Sequence, residues 1–335
     1  MEAVARFGIK QRRELFSESA AALGTTPAVV EKDFWVTRTL ARLFQDEGLE
    51  QVLRFKGGTS LSKVFGMIER FSEDIDLILD WRTVAAEDPL AERSGTKQQR
   101  LNQAINAAAA DYIGQKLLER VRAVLGDLCE CGIAPDDPHV INITYPAAFG
   151  DDYLRPEIRL EIGPLAAWTP HETHTIQSYA AEVFPDVFRE SRCEVPVISA
   201  ERTFWEKITV LHQEAHRPDD KPQPSRYSRH YYDVHRLAAT PIAEAALQDT
   251  ALLNIVVEFK QRFYPRGWAR YDLAVPGTLK LVPSEKVLGD LETDYRAMKN
   301  MIFGEIPEFA SILTSLRQLE TAINSPAQRN TSPEE

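Results

Sequence analysis

Gly57-Gly58-Thr59-Ser60, a one-sided apolar stretch (Leu61, Val64, Phe65, Ile68), and then Ser72-Glu73-Asp74-Ile75-Asp76 say more about architecture than any other part of this 335-residue chain. The pattern predicts a strand at 52–55 broken by the two glycines, a helix starting near Thr59 or Ser60, and a second strand at 74–79. Alternate residues of a strand share a face, roughly 6.6 Å apart along the chain. Asp74 and Asp76 therefore project together, while Ile75, Leu77 and Leu79 enter the core. Two carboxylates on one face require counter-charge, and a divalent cation supplies it; hard oxygen ligands select magnesium or manganese over zinc. Glycines let backbone amides approach phosphate oxygens, and the following helix turns its positive end the same way. A lone Asp-x-Asp is commonly a solvated strand end and a lone Gly-Gly a turn. Their order, with one amphipathic helix between them, points to metal-assisted chemistry on a phosphate.

Outward from this centre, Glu157-Ile158-Arg159-Leu160-Glu161-Ile162 alternates cleanly, with Ile158, Leu160 and Ile162 facing the core. Either Glu161 or Glu157 can complete the metal site; Glu161 is favoured because it lies nearer the strand end at Gly163-Pro164. On a helix at 202–215 the apolar stripe is Phe204, Trp205, Ile208, Leu211, His212 and Ala215. Lys207 falls about 100° from its centre. A lysine there can reach inward to a phosphate or snorkel outward. Residues 226–236 interleave Arg226, Arg229 and Arg236 with Tyr227, Tyr231 and Tyr232, and Asp233 is the only acid among them. Arginines suit phosphates and rings suit unpaired bases, so the stretch reads as an RNA-binding segment (Arg226, Arg229, Tyr231, Arg236) or as a solvated helix start. Ser72 lies two residues before Asp74. It either caps a turn or offers a regulatory phosphorylation position beside the metal carboxylates.

The rest of the chain frames these segments. A helix begins after Thr26-Pro27, with Val30, Trp35, Leu40 and Leu43 as its apolar positions. Residues 82–100 read as a surface connection and 104–128 as a long helix. Strands are expected at 139–145, 157–162 and 194–198. Beyond Ser199 the pattern turns helical, with apolar steps of three and four at 288–302 and 309–323 and a loop at 217–228. The tail from Asn324 reads as frayed. Cys129, Cys131 and Cys193 are too few and too odd in number for a disulfide framework, and Cys129-Glu130-Cys131 lacks the second pair a zinc knuckle needs. No apolar run approaches a membrane span, and the first residues lack a signal-peptide core, so a cytoplasmic protein without membrane partners is expected. A net charge of −11 argues against indiscriminate nucleic-acid binding while leaving room for a local basic site.

Taken together, Phe55-Lys56-Gly57-Gly58-Thr59-Ser60-Leu61 and Arg70-Phe71-Ser72-Glu73-Asp74-Ile75-Asp76-Leu77 resemble the AbiEii/AbiGii-type nucleotidyltransferase toxins, which include the MenT-like toxins of mycobacteria. Supporting stretches are Val30-Glu31-Lys32-Asp33-Phe34-Trp35-Val36, Phe204-Trp205-Glu206-Lys207, Arg229-His230-Tyr231-Tyr232-Asp233-Val234, and Asp294-Tyr295 with 298–304. The family usually carries Gly-Ser before its Asp-x-Asp, whereas this chain has Gly-Gly-Thr-Ser, so either Thr59 or Ser60 can supply the hydroxyl. The resemblance implies an α+β chain with a polymerase-β-like nucleotidyltransferase mixed sheet flanked by helices and a helical C-terminal part. It further implies that Asp74 and Asp76 bind metal, that Lys207 grips nucleotide phosphates, that Asp233 is essential at the same site, and that a cognate antitoxin exists. In MenT-like members the acceptor is tRNA, extended at its 3′ end.

The resulting expectation is a nucleotidyltransferase domain at 1–199 and a helical domain at 200–335 that contributes Lys207 and Asp233. Asp74, Asp76, Lys207 and Asp233 would be catalytic. Gly57, Gly58, Thr59, Ser60 and Lys207 would bind NTP, and Asp74, Asp76 and Glu161 would hold Mg2+ (or Mn2+). The acceptor would be a tRNA 3′ end or other RNA, with translation blocked as the result. Rival readings are transfer to a protein or small molecule, an idle nucleotide- or RNA-binding protein, and a metal-dependent glycosyltransferase.

Overall fold

The alternation of Ile75, Leu77 and Leu79 with Asp76 builds the middle of a seven-stranded mixed sheet. Its strands are β1 (Leu53–Lys56), β2 (Ile75–Leu79), β3 (Glu130–Ala134), β4 (Asp137–Thr144), β5 (Glu157–Gly163), β6 (His171–Gln177) and β7 (Arg192–Ile198). They lie in the order β3-β4-β5-β2-β1-β7-β6. β2 runs antiparallel to β1 and parallel to β5, and β1 runs parallel to β7. The structure is a computed structural model that describes residues 1–150, 154–155 and 157–325. The expected frayed tail lies almost wholly outside that set. Asn324 itself ends a helix, and its side-chain oxygen accepts from the Gly277 and Leu279 amides.

One face of the sheet is apolar. Leu53, Phe55, Ile75, Leu77, Ile158, Leu160, Val195 and Val197 pack in a single core with Val30, Phe34, Trp35 and Leu40 of the Pro27–Phe44 helix. Thr26 caps that helix through the Val29 amide, and Pro27 fills the first position, where its missing N–H is no loss. The opposite sheet face carries Lys56, Asp76, Glu161 and Arg159, because a period of two sends every polar residue of these strands the same way.

The chain divides into two units. Met1–Ser199 with Met301–Gly304 forms the sheet unit; the helices from Ala200 onward form the other. In the helical unit, Ala200–Ala215, Ser228–Ala238, Leu288–Met298 and Phe309–Asn324 bury Trp205, Tyr231, Tyr232, Tyr295, Ile312 and Leu316. Asp294 caps the Ser228–Ala238 helix by accepting from the Arg226 and Ser228 amides.

Several boundaries differ from the sequence reading. The helix after the glycines starts at Gly57 and stops at Lys63, so Ile68 lies outside it. Gly66 sits at φ +60, and its left-handed backbone turns the chain away. The long helix begins at Gly95, well before 104, and changes to π-type hydrogen bonding at Ile113–Leu117. Its first turns bury Gln98 and Asn102 rather than apolar residues.

Candidate active site

Sheet register sets the geometry. Asp76 lies opposite Lys56 on one side and beside Glu161 on the other. Neighbouring strands are about 4.8 Å apart, so the two carboxylates and the ammonium share a small area. Glu161, the favoured third carboxylate, is adjacent to Asp76, whereas Glu157 lies four residues back along β5 and pairs with Thr144. The position beside Asp74 belongs to Arg159, which the sequence reading left without a role. Its guanidinium lies 3.8 Å from Glu161 and bonds both Asp136 oxygens at 3.3 Å. Burial opposes its charge, but Asp136, Glu161 and Asp74 outweigh that and raise its pKa. Side-chain cations meet part of the carboxylate charge.

The glycines are placed by close approach. Gly57 has φ +85, and a Cβ there would lie 2.0 Å from Asp76 Oδ2. Only glycine lets the turn pass against this carboxylate. A Cβ on Gly58 would lie 2.9 Å from Arg70 Nη2 and 3.1 Å from Ser72 Oγ. Thr59 and Ser60 are both buried, and their hydroxyls serve the loop itself. Thr59 Oγ1 bonds Ser72 Oγ at 2.9 Å and the Asp74 carbonyl, and Ser60 donates to the Gly57 carbonyl at 2.8 Å. These hydroxyls lock Gly57–Lys63 onto the approach to β2, which leaves the glycine backbone as the loop's outward-facing part.

A ring of buried charge fixes both segments. Within the Pro27–Phe44 helix, Lys32 pairs with Glu73 at 2.6 Å and donates to the Arg155 carbonyl at 2.7 Å. Asp33 pairs with Lys63 at 2.5 Å and accepts from the Tyr179 amide at 2.7 Å. Glu31 accepts from the Ala148 and Phe149 amides. Burial pushes the Glu31 and Asp33 carboxyls up, against the pull of these partners. The pairs Lys32–Glu73 and Asp33–Lys63 hold the residue preceding Asp74 and the last residue of the glycine-loop helix. Apolar periodicity could not show this, because nearly the whole circumference of the helix is buried.

In the helical unit, Lys207 and Asp233 form an ion pair at 2.6 Å, with Asp233 fully buried. Two residues 26 positions apart, which the family resemblance assigns to one site, thus meet. Tyr231 faces the helical core and is fully buried, so it offers no ring to an unpaired base; helical periodicity places it inward with Val234. Arg226, Arg229 and Arg236 are half-buried, and Arg226 takes a left-handed backbone at φ 62.

Among the described residues, no three His, Cys, Asp or Glu side chains converge closely enough to enclose a metal ion. Asp74 and Asp76 nonetheless suit magnesium. That ion is usually held by one or two carboxylates together with substrate phosphates rather than by an all-protein cage. Gly57 seats directly against one of these carboxylates, that of Asp76.

A mixed sheet presenting an Asp-x-Asp beside a Gly-Gly turn, with helices on its apolar face, is the architecture of a nucleotidyltransferase. The family model described as "Nucleotidyl transferase AbiEii toxin, Type IV TA system" matches residues 38–322, and the chain belongs to that family. The fold is similar to MenT4, a nucleotidyltransferase toxin from Mycobacterium tuberculosis H37Rv. The TM-score is 0.55 at 16% identity, covering 94% of this chain and 90% of that one. JHP933 from Helicobacter pylori also matches, with a TM-score of 0.43 at 15% identity over 90% of this chain and 93% of that chain. No curated protein matches the sequence. Membership makes the chain a nucleotidyltransferase of the toxin type and implies an NTP substrate and an antitoxin. No described helix is long and apolar enough to cross a membrane.

Proposed function

We propose that this chain transfers a nucleotide from an NTP to an RNA acceptor, a tRNA 3′ end, and so blocks translation until an antitoxin restrains it. The observation that carries the reading is the seating of Gly57 against Asp76, with Glu161 beside that aspartate in register. Asp74 and Asp76 would hold Mg2+ (or Mn2+) together with substrate phosphates, and Glu161, in register beside Asp76, would close on the ion as a third oxygen donor when it binds. When bound, the ion neutralises triphosphate charge and favours loss of pyrophosphate.

The chain's own residues do the positioning. Amides of Gly57 and Gly58 receive the terminal phosphates, with Thr59 and Ser60 keeping the loop closed on β2. Lys207, oriented by Asp233, is assigned to nucleotide phosphate as a point charge. Arg226, Arg229 and Arg236 are assigned to acceptor phosphates; their concentration in an acidic chain supports RNA as the acceptor. The test is incubation of labelled NTP with total RNA, protein and small acceptors. Label in RNA supports the proposal. Label only in protein or a small molecule replaces the acceptor, and binding without pyrophosphate release removes the reaction.

A further inference from the structure

We infer that Arg70 is a phosphate-binding residue of the nucleotide site, an inference that rests on the nucleotidyltransferase reading above. Two adjacent glycines each leave space for one charged group. Gly57 makes room for the Asp76 carboxylate, and Gly58 makes room for the Arg70 guanidinium, whose Nη2 lies 2.9 Å from where a Cβ would stand. Ser72 Oγ lies 3.1 Å from the same point. The glycine pair is therefore packed against an anion at Gly57 and a cation at Gly58.

Arg70 is held from both sides. Phe71 donates its amide to the Met301 carbonyl at 2.7 Å, and Phe303 donates to the Glu69 carbonyl at 2.6 Å. Arg70 and Ile302 form an antiparallel bridge between these bonds. The Met301–Gly304 segment, part of the sheet unit, thus acts as a positioning strand for one arginine. Burial keeps the side chain in place: Arg70 is 4% exposed, and its Nη1 donates to the Phe71 carbonyl at 3.3 Å. A surface arginine would sample many rotamers; this one is ordered before a ligand arrives.

A guanidinium is always charged and presents a planar fork that matches phosphate oxygens, which suits it to a polyphosphate end. In the transfer, an acceptor hydroxyl oxygen bonds to the α-phosphorus and its proton passes to solvent. The α–β bridging oxygen leaves with the bonding pair as pyrophosphate. Arg70 meets the negative charge that the pyrophosphate gains.

The experiment compares Arg70→Ala, Arg70→Lys and Gly58→Ala with wild type, using NTP kinetics, inorganic tripolyphosphate as inhibitor and thermal melting. Arg70→Ala should raise the NTP KM and the tripolyphosphate inhibition constant roughly 10- to 100-fold, the range for a lost charged hydrogen bond. The acceptor KM should move less than about threefold. Arg70→Lys should restore part of the loss, because charge remains and the fork does not. Gly58→Ala should raise both constants, since the added methyl would push the Arg70 guanidinium and the Ser72 hydroxyl from their positions. An Arg70→Ala protein that melts lower yet keeps wild-type constants would make the arginine structural and overturn the inference, as would a Gly58→Ala protein with both constants unmoved. If wild type transfers nothing to RNA, the proposed function fails, while calorimetric tripolyphosphate binding by the same proteins still decides the role of Arg70.

Discussion

Gly57→Ala tests the geometry of the site more sharply than loss of a carboxylate would. The backbone at φ +85 is one that L-residues adopt at a cost of roughly 1–2 kcal/mol. The new Cβ would lie 2.0 Å from Asp76 Oδ2, 2.6 Å from its Cγ and 3.0 Å from its Cβ, so the whole carboxyl group is in the way. To reach ordinary contact near 3.4 Å the oxygen must retreat by about 1.4 Å. Misplacement of a catalytic group by about 1 Å commonly costs about 100-fold in rate. The expected outcome is a loss of about two orders of magnitude in kcat at saturating NTP. A fall of a few degrees in melting temperature should accompany it, matching the backbone strain alone. Initial-rate label transfer and thermal melting on one preparation would measure both. A Gly57→Ala protein within about threefold of wild-type rate would refute the reasoning, since Asp76 could then move without consequence.

Four further outcomes follow from the structure. Lys207→Met and Asp233→Leu should each destabilise by roughly 3–5 kcal/mol in urea titrations and the double variant by clearly less than their sum, because each single change strands a buried charge; additive losses would mean the pair is not coupled. Burial, aided by the neighbouring His216, lowers the His212 pKa from 6.5 to about 4, and the Lys280 amide donates to its Nδ1. The fold therefore favours neutral imidazole: this contribution is full above pH 6.5, declines as pH falls toward 4, and should vanish in His212→Gln, whose unchanged pH slope would discard the assignment. Replacing Arg226 and Arg229 with alanine should reduce the log–log salt slope of RNA binding by roughly 1.4 to 1.8, and an intact slope would place the RNA elsewhere. Ser72→Glu should silence transfer and toxicity while Ser72→Ala does not, because its hydroxyl borders both Gly58 and Thr59; an active Ser72→Glu protein would remove the electrostatic argument for control by phosphorylation.

The centre of the sheet was legible because its strands alternate strictly: Asp76 between Ile75 and Leu77, and Glu161 between Leu160 and Ile162, point to their faces from sequence alone. The edges were not. β6 buries little besides Ile176, and β3 is interrupted by Gly132, so neither shows a clear period of two. The Ile9–Leu23 helix was missed because its few buried positions include Arg12 and Ser19 as well as Phe16 and Ala20. At the site, residue types were readable but partners were not. The family resemblance put Lys207 and Asp233 at one site, but their direct ion pair came only from helix packing, and Arg159 and Arg70 gained meaning only from register and from the space left by Gly58. The Glu31-Lys32-Asp33 run entered the sequence reading only as part of a family motif, yet each member is buried against a different segment. Only three-dimensional pairing makes such burial affordable.

The most direct test is to incubate the protein with an α-labelled NTP, Mg2+ and tRNA beside Asp76→Asn, following both the labelled RNA and released pyrophosphate. The account predicts label at the tRNA 3′ end with equimolar pyrophosphate from the wild-type protein, and neither product from Asp76→Asn folded to the same melting temperature. Equal transfer by the two proteins would contradict it, as would nucleotide bound by wild type with no pyrophosphate released.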